Sequence, residues 1–537
     1  MLPPGVGTGL TPLLGGSEGA AAGTASAISA AEAARFLAQS TFGPTRADIA
    51  VVQQRGFAGW IQDQMLLPVS SHTDRYHQTS PLNDTQSTLR MEAWWWTALN
   101  AADQLRQRVA FALSEIFVVS DLGAGLSDKA TGLTTFYDLL VRGAFGSFRT
   151  LLEQVTLHPV MGSWLSLVDS RKADPAKGTH PDENYARELM QLFTVGTVML
   201  NADGTPALRG GAPVATYTQD QVSDTARALT GWVNASSSSW TTPMVAVASR
   251  HDTGSKRIVG GAVVPAGGSP ASDLAVVLDV LCAHPNTAPF IAKLLIQRLV
   301  TSNPTPGYVA RVAAVFANDG AGARGNLAAV VTAILLDQEA RTGPQALGTA
   351  FGKVREPLLR VTHLWRAFAA EGSGGRADFP HPEVSLGQAP LRASSVFGFF
   401  SPQYAPNVLA RAGLVAPELQ LANDVSLPTV DDFIVRAIAK TTIVPTVVNK
   451  VIGLAGGQEV SPGGEHNLSI DITYEQALSS NIPALVDDLD QLLMGGALDP
   501  TFRQQIESYL ATISAGKTRV TEAITLLVTS PQYLVQR

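Results

Sequence analysis

The sequence predicts a mainly α protein, built as one large multi-helix domain with long irregular loops and little β-structure. Apolar residues recur three and four positions apart through most of the chain, which is the pattern of helices with one buried face. Of the 537 residues, 45% are hydrophobic, enough for a large core, and the 48 Gly and 32 Pro indicate long connections. No glycine-rich turn has the spacing that a Rossmann or P-loop enzyme needs.

Composition divides the chain into three parts. Residues 1–31 are predicted to be a flexible tail, because the run from Gly15 to Ala31 is nearly all Gly, Ala, Ser and Thr and has too little apolar surface to fold. Residues 32–440 are predicted to form the main helical domain, which carries a polar cleft. Residues 441–537 are predicted to form a C-terminal helical segment packed on that domain.

Periodicity places the helices in order along the chain. The predicted helical stretches are 29–40, 46–65, 91–117, 137–152, 181–196, 218–231, 273–300, 308–336, 354–369, 429–440, 482–494, 501–514 and 518–529. Residues 233–270 and 371–428 are predicted to be irregular, the second with aromatic residues at 397–404. Trp94, Trp95 and Trp96 cannot share one helix face, so we expect one of them at a groove or a contact.

Charge and cysteine usage exclude several classes of protein. The net charge is -7 and no cluster of Lys and Arg is found, which argues against a nucleic-acid partner. No run reaches the roughly 18 apolar residues of a membrane span. Cys282 is the only cysteine, so neither an intramolecular disulfide nor a thiolate metal cage is expected, and its apolar neighbours place it in the core. The first basic residue is Arg35, so no signal peptide is visible.

Polar side chains concentrate at residues 180–196, in a chain where only 15% of residues are charged. With Pro181 at the first helical position, Glu183 is an acid of the first turn, where it complements the helix dipole. Glu188 falls at the edge of the buried stripe, about 140° around the helix from Glu183. Glu183 and Arg187 also form an ordinary i, i+4 ion pair. Capping and a functional role therefore both remain open for these acids.

Two further segments carry candidate chemistry. Asp220 and Asp224 are a like-charge i, i+4 pair, which needs a cation, a substrate group or Arg227 to compensate it. Residues 251–256 bring a histidine, an acid and a lysine into one polar turn. An imidazole beside a carboxylate serves as a base or a metal ligand, whereas the structural alternative is an Asx-type turn with Gly254 at positive φ.

Seven blocks of the chain resemble, in order, those of a bacterial family catalogued as a domain of unknown function, DUF1800. The blocks are Tyr185–Leu189, Tyr217–Asp220, Arg227–Trp232, His251–Lys256, His284–Ala288, Arg355–Pro357 and Thr529–Gln536. The resemblance covers about residues 30–537. It implies an exported, mostly helical protein, periplasmic or secreted, that works beside a sulfatase-like partner, and it implies no activity.

The chain departs from this family's pattern at two places. Phe193 stands where many relatives carry histidine, so a metal role for that position does not apply here, and residues 203–214 resemble an insertion. On its own residues, Arg355-Glu356-Pro357 is interpreted as a structural ion pair.

The first functional hypothesis is a hydrolase of an extracellular polymer, most plausibly a glycan, that uses paired carboxylates. Glu188 is the acid with a raised pKa, and Asp220 or Asp224 is its ionised partner. The predicted catalytic residues are Glu183, Glu188, Asp220, Asp224 and His251. The predicted substrate-binding residues are Asn184, Arg187, Arg227, Trp232, Asp252 and Lys256.

Two alternatives belong to other classes. One is a metal-dependent protein in which His251 and Asp252, with Glu183, Glu188 or Asp224, bind a divalent ion; no other cofactor is predicted. The other is a noncatalytic scaffold or secretion companion, in which the polar residues tie helices together and the aromatic loop 397–404 docks a partner. The distances among the acids discriminate between these hypotheses.

Overall fold

The mainly α fold is confirmed by a computed structural model, which describes residues 27–79, 87–423, 426–439 and 466–537. The α-helices are α1 (Ala30–Ser40), α2 (Arg46–Leu66), α3 (His72–Thr79), α4 (Ser87–Asn100), α5 (Gln104–Ser114), α6 (Ala130–Gly143), α7 (Phe148–Leu157), α8 (Pro159–Trp164), α9 (Asn184–Gln191), α10 (Gln219–Ala228), α11 (Pro270–Ala283), α12 (Thr287–Leu299), α13 (Pro306–Ala317), α14 (Leu327–Leu336), α15 (Gln338–Leu347), α16 (Pro357–Ala367), α17 (Pro382–Leu386), α18 (Asn407–Arg411), α19 (Ser426–Ala439), α20 (Thr473–Leu478), α21 (Ile482–Leu489), α22 (Pro500–Leu510), α23 (Lys517–Val528) and α24 (Pro531–Leu534). Most of the predicted tail lies outside the described residues.

Strands are short, and within the described ranges they form antiparallel pairs. The pairs are β1 (Leu208–Arg209) with β2 (Ala212–Pro213), β3 (Trp232–Val233) with β4 (Val245–Ala246), β5 (Lys256–Arg257) with β6 (Val263–Val264), β7 (Lys353–Val354) with β10 (Val535–Gln536), and β8 (Glu371–Gly372) with β9 (Leu468–Ser469). The segment 203–214 is thus largely an exposed hairpin.

One continuous hydrophobic core runs from Ala33 in α1 to Tyr533 in α24. Helix α1 packs against α2 and against the π-helical segment Asp490–Met494, and β10 pairs with β7 in the middle of the chain. The described part of the C-terminal segment therefore shares its core with the main helical region.

Several long predicted helices are each broken into two shorter ones. The predicted helix 273–300 ends at Ala283, because His284 precedes Pro285 and takes up extended backbone (ψ 136°). The predicted helix 308–336 ends at Ala317, where a loop with Gly320 and Gly322 at φ 90° and 93° follows. Helices α11 and α12 are bent by 72° at their junction and pass a test for a membrane span only as a pair; no single helix of the described residues passes it.

The helix at residues 180–196 begins later than predicted. Pro181 is not its first residue: α9 starts at Asn184, with Glu183 at the N-cap. The Asp182 carboxylate accepts a hydrogen bond from the Asn184 N–H (2.8 Å) and holds the chain in a turn before the helix. Glu183 makes no capping bond, so its side chain is available to neighbouring elements.

The tryptophan run divides between core and surface. Trp94 and Trp95 are buried, and Trp96 is partly exposed, with the Arg75 guanidinium 4.5 Å from its ring. Cys282 is buried as expected, and burial raises the pKa of its thiol to about 12. The thiol is therefore a core group.

The segment from residue 371 to residue 423 is largely irregular, with two short helices, α17 and α18. Within its aromatic stretch, Phe397 is 52% exposed whereas Phe400 is buried. This segment therefore has one side in the core and one in solvent.

Candidate functional site

Glu183 lies in a polar network between α9 and α10. Its carboxylate accepts hydrogen bonds from Arg187 (2.9 Å), from the Gln219 side chain (2.7 Å) and from the Ser223 hydroxyl. About a third of the Glu183 and Arg187 side chains is exposed, at 32% and 38%. The predicted i, i+4 ion pair is present, and the contacts of Glu183 with Gln219 and Ser223 tie α9 to α10.

Asp224 and Asp252 share one arginine. Arg227 binds Asp252 with two hydrogen bonds (2.9 and 3.1 Å) and Asp224 with one (2.7 Å). The hydrogen bonds to Asp252 and to Asp224 raise the pKa of Arg227, whereas burial acts in the opposite direction. Arg227 therefore neutralises the acids at 224 and 252, as the sequence suggested for Asp224.

The turn at residues 251–256 is an Asx turn, but Gly254 does not have positive φ. The Gly254 N–H donates to Asp252 Oδ1 (2.8 Å), and Gly254 is absent from the positive-φ positions of the described chain. A Cβ at this residue would lie 2.6 Å from Arg227 Nη2. Glycine is needed here for space and not for its backbone freedom.

His251 and Lys256 are buried around an aspartate that the sequence did not suggest. Asp273 Oδ2 lies 3.1 Å from His251 Nε2 and 2.5 Å from Lys256 Nζ. His251 Nδ1 is 2.9 Å from the Thr230 carbonyl oxygen, and the histidine is 1% exposed. Both ring nitrogens are thus engaged in a closed network, which leaves none for a metal or a substrate.

Glu188 differs from the other predicted acids because no described residue hydrogen-bonds its carboxylate. It is 5% exposed, and its Oε2 atom is buried without a partner. Burial raises the pKa of Glu188, and the charge of Arg187 partly opposes this effect. Burial and the Glu188 charge in turn raise the pKa of Tyr217. Glu188 is the predicted residue whose environment suits an acid.

The remaining predicted residues do not join a common cleft. Asp220 and Asn184 are exposed, and Trp232 is buried in β3, with its indole N–H lacking a partner. Across the described ranges, no group of three or more His, Cys, Asp or Glu residues is placed to hold a metal ion. The predicted cleft is instead a surface of closed ion pairs plus one isolated acid, which we call the α9–α10 surface (residues 183–191, 217–228 and 251–256).

A second polar region lies deep in the protein and joins segments that are far apart in sequence. We call it the buried charge cluster; its members are Arg108, Glu115, Arg298, Lys353, Glu356 and Glu418. All six side chains are at most 8% exposed. They come from α5 and its C-cap, the last turn of α12, β7, the N-cap of α16, and the segment Pro417–Gln420.

Lys353 holds the centre of the buried charge cluster. Its ammonium group lies 3.3 Å from Glu356 and 3.1 Å from Glu418, and it donates to the Arg298 carbonyl oxygen (3.0 Å). Arg108 donates to the same carbonyl (2.6 Å). The predicted ion pair between Arg355 and Glu356 is therefore wrong: Arg355 instead binds the Tyr533 carbonyl, and Glu356 takes Lys353.

Glu115 and Glu356 form a carboxyl–carboxyl pair. Each side chain shifts the acidity of the other. Burial and the Glu356 charge raise the pKa of Glu115 well above its usual range. Although burial opposes it, the Lys353 charge and the interaction with Glu115 lower the pKa of Glu356. Glu115 is therefore the weaker acid of the pair, and Glu356 is the stronger.

Glu115 lines a partly open cavity of about 20 Å³, which has room for one or two water molecules. Arg298, residues 388–393 and residues 398–399 also line this cavity. Gln388 links the cavity to the cluster, because its amide donates to Glu356 Oε2 (2.7 Å) and accepts from the Leu358 N–H (3.2 Å). The lining is mainly apolar, and Glu115 and Arg298 are among its charged residues.

Leu391 lines both this cavity and a smaller one of about 10 Å³. Its backbone is left-handed, with φ 52°, a conformation that costs a branched residue on the order of 1 kcal/mol or more. Arg90 donates to the Pro390 carbonyl (3.0 Å), and the Asp121 N–H donates to the Leu391 carbonyl (3.0 Å). These bonds hold the strained wall in place.

The buried charge cluster was not predicted from the sequence, because its members lie far apart along the chain; Glu115 and Glu356, for example, are separated by 241 positions. A signal was nevertheless present: Arg106 and Arg108 in the run Leu105–Phe111 and Arg298 in the run Leu294–Val300 are cations among the apolar residues of a helix. A charge on the apolar face of a helix must find a buried partner. Such lone charges predict that a cluster exists, but not which residues complete it.

Comparison with known proteins extends over nearly the whole chain. The family model described as "Protein of unknown function (DUF1800)" matches residues 35–535. No curated protein and no solved structure matches significantly.

Proposed function

The chain belongs to the DUF1800 family, and since that description assigns no reaction, we propose from its geometry that it is a hydrolase whose acid–base groups are Glu115 and Glu356. One observation carries this proposal: two buried carboxyl groups with opposite pKa shifts are paired, and one of them lines a cavity. Paired carboxyl groups whose pKa values are driven apart supply an acid and a base at the same pH.

The pair can hydrolyse an acyl bond without a covalent intermediate. A water molecule adds its oxygen to the carbonyl carbon and gives a proton to the ionised carboxylate, while the protonated carboxyl group gives its proton to the carbonyl oxygen. Collapse of this adduct breaks the bond to the leaving group, which takes a proton from the pair, while a hydroxyl group of the adduct gives a proton back to the pair and becomes the carbonyl oxygen of the acid. The products are an acid and an alcohol or amine, and the pair ends with the one proton it had at the start.

Carboxyl separation favours an acyl bond over a glycosidic bond. Glycosidases hold their two carboxyl groups about 5–10 Å apart, whereas a hydrogen-bonded pair is closer. The sequence-based prediction of a glycan substrate, acting through Glu188 with Asp220 or Asp224, therefore receives less support than an ester or amide substrate. The predicted export and the sulfatase-like partner rest on the family resemblance and remain proposals.

A noncatalytic scaffold is the second candidate, and the cluster itself favours it. Lys353 and its partners connect α5, α12, α16 and the segment Pro417–Gln420, so the same charges could serve to join these elements. Buried ion networks perturb carboxyl groups as active sites do. The two candidates differ in what Glu115 does for activity as opposed to stability.

The test is hydrolysis of a panel of aryl esters, peptides and polysaccharides by the wild type and three variants. We expect Glu115→Gln to keep the fold, because the amide can still donate to Glu356, and to lose about a hundredfold or more in kcat, the usual contribution of general acid–base catalysis. Glu188→Gln tests the acid predicted from sequence, and Glu153→Gln, on an exposed helical ion pair, is the matched control.

Ester or peptide hydrolysis that depends on Glu115 and not on Glu188 supports the proposal. Polysaccharide hydrolysis lost in Glu188→Gln would return the function to the α9–α10 surface. A panel with no hydrolysis above the Glu115→Gln background, together with destabilisation of that variant, favours the scaffold.

A further inference from the structure

The Arg298 guanidinium has no hydrogen-bonding partner among the described residues, although the residue is buried and only 4% exposed. Its Nη1 atom lies 3.7 Å from Glu115 Oε1, beyond hydrogen-bonding range, and its Nε atom is buried and unpaired. The guanidinium instead stacks on the Phe400 ring, 4.3 Å from the centroid. A buried guanidinium without acceptors is costly, so its donors call for a ligand.

The other arginine of the cavity wall is satisfied, which makes Arg298 distinct. Arg392 donates to Asp121 (3.0 Å) and to Glu383 (2.8 Å). Asp121 also binds Arg90 (2.7 Å), so the charges on that side of the cavity are closely paired. The unmatched donors of the cavity therefore lie at Arg298.

The balance of charges in the buried charge cluster also indicates an unpaired cation. Arg108, Arg298 and Lys353 face Glu115, Glu356 and Glu418, and burial raises the pKa of Glu115, which favours its neutral form. With Glu115 neutral, three cations face two anions, which leaves one positive charge without a counter-charge. Lys353 forms ion pairs with both Glu356 and Glu418, so the unpaired positive charge lies at Arg108 and Arg298.

We infer that Arg298 binds a carboxylate group of a ligand at this cavity, so that the substrate is a singly charged anionic acyl compound. The fork of a guanidinium matches a carboxylate with two parallel hydrogen bonds. Val118, Leu358 and Phe399 also line the cavity, so the surroundings of the bound carboxylate are apolar. As a statement about substrate class this rests on the proposed function, but the anion site itself can be tested without turnover.

The experiment is ligand-observed NMR on the full chain with three probes: acetate, its neutral analogue acetamide, and sulfate. We expect acetate to bind at least about tenfold more tightly than acetamide, the usual value of one charge-assisted hydrogen bond. Sulfate, with two charges and a tetrahedral shape, is expected to bind more weakly than acetate. Arg298→Met should lose the preference for acetate, and Arg298→Lys should keep part of it.

Two control variants make the result specific. Arg55→Met removes one positive charge at an exposed pair with Asp63, so it is expected to leave acetate binding unchanged. Glu115→Gln keeps the excess charge and is expected to retain acetate binding while it loses hydrolysis. If Arg298→Met does not fold, the preference of the wild type for acetate over acetamide and the Arg298→Lys variant decide the question.

Equal binding of acetate and acetamide, or full acetate binding by Arg298→Met, overturns the inference. Glu115-dependent hydrolysis of neutral esters without acetate binding would leave the proposed function standing and remove the anionic substrate class. Acetate binding at Arg298 without any Glu115-dependent hydrolysis would leave the anion site standing and remove the proposed hydrolase function.

Discussion

The α9–α10 surface and the buried charge cluster solve the same problem, how to hold several carboxylates close together, in different ways. On the surface, Glu183 meets Arg187 four residues away and Asp224 meets Arg227 three residues away, while Glu188 is buried without a partner. In the cluster the charges come from distant segments, and burial raises the pKa of Glu115. Pairing within one helix joins acids and arginines that are neighbours in sequence, whereas pairing across the fold brings together groups with altered acidity.

The largest difference in stability between the two regions is expected at Lys353. Lys353→Met should lower the free energy of unfolding by about 3–5 kcal/mol, because it leaves the Glu356 and Glu418 carboxylates buried without a cation. Urea unfolding followed by circular dichroism measures this. Lys177→Met removes a lysine from an exposed pair with Asp174 and should change stability by less than about 1 kcal/mol. Similar values for the two variants would contradict the distinction between the regions.

The proton on Glu115 predicts a pH-dependent difference between wild type and Glu115→Gln. Because the pKa of Glu115 is raised in the folded protein, the unfolded chain releases this proton first as pH rises above about 4.5. Wild-type stability relative to Glu115→Gln should therefore fall from pH 4.5 upward, by at most about 1.4 kcal/mol per pH unit, until the folded group ionises. Urea titrations at pH 4.5, 6 and 7 measure it.

Glu153→Gln provides the reference for that experiment, since Glu153 is in an exposed helical pair with Arg149. Its difference from wild type should stay constant over the same pH range. Parallel curves for Glu115→Gln and wild type would mean that Glu115 is ionised in the folded protein.

Gly254 tests how tightly the surface pairs are built. Gly254→Ala should cost about 1 kcal/mol, because the new Cβ would displace Arg227 from Asp252 while the backbone there accepts any residue. The measurement is a double-mutant cycle with Arg227→Met. In the Arg227→Met background the alanine should be nearly neutral, and an equal cost in both backgrounds would show that the contact is not responsible.

The smallest effect is expected at Arg187. Arg187→Met should change the free energy of unfolding by less than about 0.5 kcal/mol, since the pair with Glu183 is partly exposed and Glu183 keeps Gln219 and Ser223 as donors. Thermal unfolding at low and at high salt measures it. A loss comparable with that of Lys353→Met would make the α9–α10 surface the structural centre instead.

Sequence periodicity predicted most of the longer helices but not their breaks, and it did not predict α3 or α15. The apolar spacing through residues 273–300 continues across His284 and Pro285, so the pattern alone gives one helix where the chain bends by 72°. The ion pairs Glu183–Arg187 and Asp224–Arg227 were predictable because one helix fixes the distance between their residues.

Contacts between distant segments were not predictable in the same way. The sequence contains Asp273 and Glu115, but nothing near either residue indicates that the first meets His251 and the second meets Glu356. Burial of Glu188 followed from its place beside the apolar stripe of α9, while its lack of a partner depends on what α10 and Tyr217 bring next to it. Helix faces are local properties, and partners are properties of the whole fold.

The pairing of β7 with β10 has a consequence for how the protein is made. Lys353 is opposite Gln536 in this ladder, and the Gln536 amide donates to the Leu299 carbonyl (2.8 Å), one residue from Arg298. During synthesis, a chain that has grown to Arg298, or even to Glu418, still lacks the strand that seats Lys353. The strand that pairs with Lys353 becomes available only after residue 536 has left the ribosome, so until then the growing chain holds Lys353 without its partner in this ladder.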